Sequence, residues 1–266
     1  MKKASAIVPL AATLVAALAF YLRTIELTTV FEPLTGLNER GAPLTVGLIT
    51  LTVAFIIFAL VFSRRVGAKH KSPEGFFGAF STNSYVYLFS LSTIALVWGG
   101  ATAIYAISHN AAGTFQTVEL YYTVLSAISA LCLLVFAIEV FRAPNRKSTM
   151  FLILPAIIFA TFWLVLIYRD NASNPILLSY SYYALAVIFT ALSFYYLAGF
   201  VFSKPSPGRT TFVSLCAVFF CFITLADTHS FGIKLIFSTI IILNLLHMVM
   251  LLKNLQTKPP KEKNKT

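Results

Sequence analysis

Residues 44–63 read LTVGLITLTVAFIIFALVFS, an uncharged apolar run that meets Arg64 and Arg65 at its end. A helix rising ~1.5 Å per residue needs about 20 such residues to cross the ~30 Å hydrocarbon core of a bilayer. Inside that core the backbone amides have no water to bond, so the run must satisfy them within itself, as a helix. It also lacks the strict apolar–polar alternation of a barrel strand.

Seven more runs of this kind follow outward from it, at about 4–22, 84–107, 119–141, 149–168, 178–203, 210–228 and 233–252. The expected fold is all-α, a polytopic transmembrane bundle of about eight spanning helices that forms one unit over 1–252. The basic stretch 253–266 is expected to be a disordered cytoplasmic tail. Composition agrees: 58% of the 266 residues are hydrophobic and 11% charged, where a soluble domain carries about 25% charge. The segments between the runs are too short to bury a soluble core of their own.

The connections set the orientation. With alternate crossing, 16 of the 20 Lys and Arg fall on one side, and Arg23, Arg40, Arg169 and Lys234 fall on the other. Positive charge collects on the cytoplasmic side, so both termini are expected in the cytoplasm. The excess of base is thus an orientation signal; a nucleic-acid partner would want basic residues gathered on a folded face. The expected partners are the bilayer, anionic lipid at the cytoplasmic face, which adds ~1 kcal/mol per nearby Lys, and a membrane protein. Lys2, Lys3, the first apolar run and Ala17-Leu18-Ala19 also fit a cleavable signal peptide, which would leave seven spans.

Few residues offer chemistry. Ionisable groups at membrane depth are costly and are read first as functional. Glu139 stands three residues before Arg142 on one helix face, where the two are expected to form an interfacial ion pair, and His247 lies about two turns inside the last span with Asn244 one turn away. Either His247 exchanges a proton with Glu139 at similar depth, or His247 and Asn244 make interhelical hydrogen bonds. Small and hydroxylated residues recur at helical spacing: Ser126 and Ser129 in the fourth run, Thr190 and Ser193 in the sixth, Cys221 and Thr224 in the seventh. They either let helices approach closely or line a narrow, weakly polar cavity. Asp227 and Lys234 flank a short connection that holds His229, and a salt bridge between them is expected to close the last hairpin. Tyrosine pairs at 121–122, 182–183 and 195–196 sit near helix ends, where a ring with a polar tip is favoured. Residues 130–151 and 191–212 share eight of 22 positions, as a duplicated hairpin would or as any two apolar helices with basic ends.

Several activities find no support. Two histidines at membrane depth for a haem, a mid-membrane lysine for a retinal Schiff base, and P-loop, HExxH or GxSxG motifs do not occur. Cys132, Cys216 and Cys221 lie in apolar runs without the spacing of a metal or disulfide framework. No catalytic residue, metal or cofactor is expected.

Phe31-Glu32-Pro33, Thr35-Gly36-Leu37 and Ala42-Pro43-Leu44-Thr45 resemble the first outer loop of uncharacterised multi-pass membrane proteins of anaerobic Gram-positive bacteria, which carry no assigned activity. The resemblance covers about 25 residues and implies a bacterial plasma membrane. The function expected from the residues is a non-enzymatic membrane sensor or accessory module; the alternative is a facilitator or transporter of a small apolar or amphipathic solute.

Overall fold

The computed structural model describes residues 4–31, 41–73, 75–142, 147–174, 176–202 and 204–257. Lys2 and Lys3, the Pro- and Gly-bearing centre of the loop expected over 23–43, and the tail beyond 257 lie outside them. Among the described residues there are eight helices long and apolar enough to cross a bilayer, so the chain is an all-α, multi-pass membrane protein. They are α1 (Ala4–Thr29), α2 (Pro43–Lys69), α4 (Tyr85–Ala111), α5 (Thr117–Arg142), α6 (Leu154–Asn171), α7 (Leu177–Val201), α8 (Pro207–Thr224) and α9 (Phe231–Asn254), with a short helix α3 (Gly75–Phe80) between α2 and α4. A 3₁₀ turn, Lys147–Ile153, leads into α6.

Two expected boundaries move for a physical reason. The first helix continues past residue 22 to Thr29, so Arg23 and Glu26 belong to a helix and not to a loop. At i and i+3 they pair, Arg23 Nη1 donating to Glu26 Oε2 at 2.8 Å, and the pair tolerates the apolar surroundings that either charge alone would not. The loop expected over 64–83 is likewise shortened by α2, which runs to Lys69. It contains α3, whose Phe76, Ala79 and Phe80 are buried against the bundle.

Helices α4, α5, α6, α7, α8 and α9 pack in that order as a closed ring, and α1 and α2 lie outside it against α8, with α1 also on α9. Flanked on both sides, α8 is the most enclosed span, with 72% of its apolar window buried. Helix ends therefore alternate between two faces. The proximal face carries the end of α9 and the two-residue strands β1 (His70–Lys71) and β2 (Gln256–Thr257), which pair antiparallel and tie α2 to α9. The distal face carries the end of α1 and the connection from α8 to α9.

The ring is filled by aromatic side chains. Trp98 lies 5.8 Å from Phe159 and 5.9 Å from Phe194, and Trp163 lies 5.4 Å from Phe159 and 4.8 Å from Phe237. At the proximal end α3 closes the ring from below. Its Phe76 meets Phe136 of α5 at 5.1 Å and its Phe80 meets Phe200 of α7 at 5.1 Å.

Close approach of α9 to α4 depends on one glycine. A Cβ on Gly232 would sit 2.7 Å from the Tyr105 backbone nitrogen and 2.8 Å from the Ala101 carbonyl oxygen, and neither atom can swing aside. Gly232→Ala is expected to cost about 2 kcal/mol through overpacking, lowering the melting temperature of the purified protein by about 5 °C. Gly100→Ala adds a Cβ that meets nothing within 4 Å and is the matched control. Equal melting temperatures for the two variants would contradict the contact.

Candidate functional site: an aromatic pocket at the distal face

The polar residues singled out from the sequence lie mostly in helix contacts. Ser126 accepts from Trp98 Nε1 at 3.0 Å and lies 2.7 Å from Thr102 Oγ1, joining α5 to α4. Thr190 Oγ1 donates to Ala186 O and lies 3.6 Å from Cys221 Sγ, joining α7 to α8. Ser129, Ser193 and Thr224 donate to backbone oxygens of their own helices, those of Leu125, Thr190 and Phe220. Asn244 Nδ2 donates to Ile240 O within α9.

His247 has both ring nitrogens engaged. Nδ1 lies 2.9 Å from the Leu243 carbonyl, which can only accept, so Nδ1 carries the hydrogen and Nε2 accepts from the Tyr87 hydroxyl at 3.0 Å. The imidazole thereby fastens α9 to α4 beneath the aromatic column, with Phe76 and Phe80 edge-on at 6.2 and 5.1 Å. Glu139 is half-buried on α5, and Phe76 stands between α5 and His247, touching both sides.

The largest concentration of polar chemistry lies at the other end of the ring. The ends of α4 to α7 and the connection between α8 and α9 enclose a cavity of about 450 Å³. Its walls are aromatic. Tyr105 and Tyr122 have ring centres 4.7 Å apart, Tyr122 and Trp163 5.6 Å, Trp163 and Tyr183 6.0 Å, and Tyr183 and His229 4.3 Å. Trp163 Nε1 donates to the Tyr183 hydroxyl at 2.6 Å, which fixes both rings. The tyrosine pairs explain themselves here: neighbours on a helix point about 100° apart, so Tyr122 is buried while Tyr121 is exposed.

The floor of the pocket, at Asp227, belongs to an ion cluster that lies behind it. Arg23 is fully buried. Its Nε donates to Asp227 Oδ1 at 3.1 Å and its Nη1 to Glu26 Oε2, and its guanidinium lies 5.2 Å over the Tyr182 ring. Thr45 of α2 donates to Glu26 Oε1 at 2.7 Å. Two residues of α1, Arg23 and Glu26, thus hold together α1, α2, α7 and the last connection. The salt bridge expected between Asp227 and Lys234 is replaced by this one. Among the described residues the ion pair of Asp227 is with Arg23, which reaches it from an adjacent helix with a fork of donors, and His229 Nε2 stands 4.0 Å from Oδ2.

Burial sets the charge states on the floor. It raises the Asp227 carboxyl from an ordinary 3.8 to about 6, against the pull of Arg23. Burial, with the charge of Lys234 in support, lowers His229 to about 4, so the imidazole is neutral at pH 7. Four buried polar atoms around the cavity have no hydrogen-bond partner among the described residues: Tyr122 Oη, Asp227 Oδ2, His229 Nε2 and Ser230 Oγ. Buried polar atoms are satisfied as a rule; four of the six exceptions among the described residues lie here, the others being His70 Nδ1 and Thr149 Oγ1. Among the described residues no group of three His, Cys, Asp or Glu is placed to hold a metal ion.

Sequence reasoning passed over Arg23, Glu26, Tyr105 and Trp163. The Arg-x-x-Glu spacing at 23–26 was the available signal, since it marks a charge pair that a helix end can carry into the membrane. Comparison with protein-family models, with curated proteins and with solved structures gave no match.

Proposed function

We propose that this chain is a non-enzymatic membrane receptor or sensor module that binds a small polar solute in the distal aromatic pocket. The observation that carries the reading is the convergence of four unpartnered buried polar atoms on one cavity. A solute that bonds them removes a desolvation cost of roughly 1–3 kcal/mol per atom. The aromatic filling below Trp163 and the plug formed by α3 favour a binding module over a conduit.

We further propose that the pocket faces the outside of a bacterial plasma membrane, with both termini in the cytoplasm. The support is the distribution of Lys and Arg. The basic tail and inner loops then lie against anionic lipid, or against a membrane protein partner that reads the pocket's occupancy.

Cysteine labelling tests both proposals. Ser230→Cys, placed at the cavity, is expected to react with a small membrane-impermeant thiol reagent added to intact cells. The wild-type protein, with Cys132, Cys216 and Cys221 in apolar helices, serves as the blank. Reaction only after permeabilisation would reverse the orientation. No reaction on either side would mean a closed pocket and would defeat the receptor reading.

A further inference from the structure

Resting on the reading of the distal cavity as a binding pocket, we infer that its ligand is a compact organic cation, an ammonium ion bound among Tyr105, Tyr122, Trp163 and Tyr183 with its charge on Asp227.

Charge balance on the floor gives the first argument. Arg23 is a single cation facing two buried carboxylates, Glu26 and Asp227. Within the hydrogen-bonded cluster one negative charge is in excess, offset only through space by the half-exposed Lys234, and a buried excess charge is expensive unless it is paired. Glu26 is enclosed, 1% exposed, and occupied by Arg23 and Thr45. Asp227 is 7% exposed and lines the cavity, and its Oδ2 has no hydrogen bond, with His229 Nε2 4.0 Å away. The excess charge therefore lies beside the one member of the cluster that lines the cavity, and a monocation against Asp227 completes the balance.

The walls favour the same sign. An aromatic face carries the negative part of the ring quadrupole and attracts a cation within about 6 Å of its centre. Four such rings follow one another around the cavity at spacings of 4.7, 5.6 and 6.0 Å. The Tyr122 hydroxyl, 2% exposed and unpartnered, offers an oxygen to an N–H or N–CH group. At the rim, Glu119 and Asp170 add acid, and Arg169 is engaged with Asp170 at 2.7 Å.

An anion finds less here. Helix amino ends are its usual sites; of the three that border this cavity, two have a side-chain acceptor on a terminal N–H, and that of α9, at Ser230, has no side-chain cap and stands three residues from Asp227. Glu119 Oε2 accepts from Gln116 N at the start of α5, and Asn174 Oδ1 accepts from Ile176 N at the start of α7, each at 3.0 Å. His229, neutral at pH 7, brings no positive charge to the floor.

The test uses choline and 3,3-dimethylbutan-1-ol, the carbon analogue of the same shape without the charge. The full chain in lipid nanodiscs, carrying Trp98→Phe so that Trp163 alone reports, is titrated with each at constant ionic strength. Choline is expected to change Trp163 emission saturably and to bind at least about tenfold more tightly than its uncharged analogue. Glu119→Gln, at the rim and away from the buried cluster, should weaken choline about threefold; Asp227→Asn should weaken it about tenfold and leave the analogue unchanged. Ethylamine that binds as well extends the site to ammonium ions in general, and choline alone narrows it to quaternary ones. Equal affinity for choline and its analogue overturns the inference. So does the absence of any response to either ammonium ion. If Ser230→Cys is nevertheless labelled, only the ligand class has failed; if it is not, the pocket itself has failed.

Discussion

Arg23→Met is expected to cost about 3–5 kcal/mol, because removing one member of a buried ion cluster strands the others. Glu26 and Asp227 would keep their burial and lose their shared cation, along with the contacts of Nη2 at 3.5 Å from the Leu178 and Ser179 carbonyls. The damage would spread over four elements, since Arg23 joins α1 to α7 and to the last connection while Glu26 takes a bond from Thr45 of α2. Arg23→Lys keeps the charge but has no planar fork to reach two carboxylates at once, so it should recover only part of the loss. The triple variant Arg23→Met, Glu26→Gln, Asp227→Asn should recover most of it, because no buried charge remains unpaired. Reversible unfolding of the purified variants in mixed micelles measures all three. A loss below about 1 kcal/mol for Arg23→Met, the range of exposed pairs, would mean that water reaches the cluster.

The same cluster marks where sequence reading stops. Hydrocarbon fixes the length of a spanning helix and forbids unpaired amides, so the run 44–63 and its seven counterparts could be read directly. The first run is taken to end at Arg23, and a boundary set at a charge fails where two opposite charges one helical turn apart cancel, as Arg23 and Glu26 do. Helix α3 was hidden for another reason: six residues carry too little periodicity to declare a helix, although its Phe76 and Phe80 prove to close the ring.

The hydroxyl stripes show a limit of spacing as evidence. Ser129, Thr190 and Thr224 each donate to the carbonyl four residues back, a bond available to any helical Ser or Thr. A residue satisfied within its own helix has the same spacing as one that lines a cavity. The pocket was illegible for the opposite reason. Its residues come from the ends of α4 to α7 and from the α8–α9 connection. No single segment contains enough of them to form a pattern, and only the ring order of the helices brings them together.

Choline affinity is expected to fall about eightfold between pH 7.5 and pH 4.5, because the Asp227 carboxylate that holds the cation titrates at about 6 and its neutral form binds about tenfold more weakly. The groups facing Asp227 are Arg23 and Glu26 of α1, Tyr182 and Tyr183 of α7, His229 beside it and Lys234 of α9. Farther around the cavity stand His109, Glu119 and Asp170. Stability should respond far less than affinity, and the signs show why. Asp227 is raised from 3.8 to about 6, so its contribution to stability is full below 3.8 and is lost as pH rises through 6. His229 is lowered from 6.5 to about 4, so its contribution is full above 6.5 and is lost as pH falls through 4. Between 4 and 6 the two slopes oppose each other, and the fold persists while the binding charge is withdrawn. Titrations of choline at fixed ionic strength across this range, with unfolding measured in parallel, separate the two effects. Asp227→Asn should flatten the affinity profile at its weak, low-pH level, and His229→Gln should leave the step near 6 in place. A step that survives Asp227→Asn would detach the bound cation from the buried cluster.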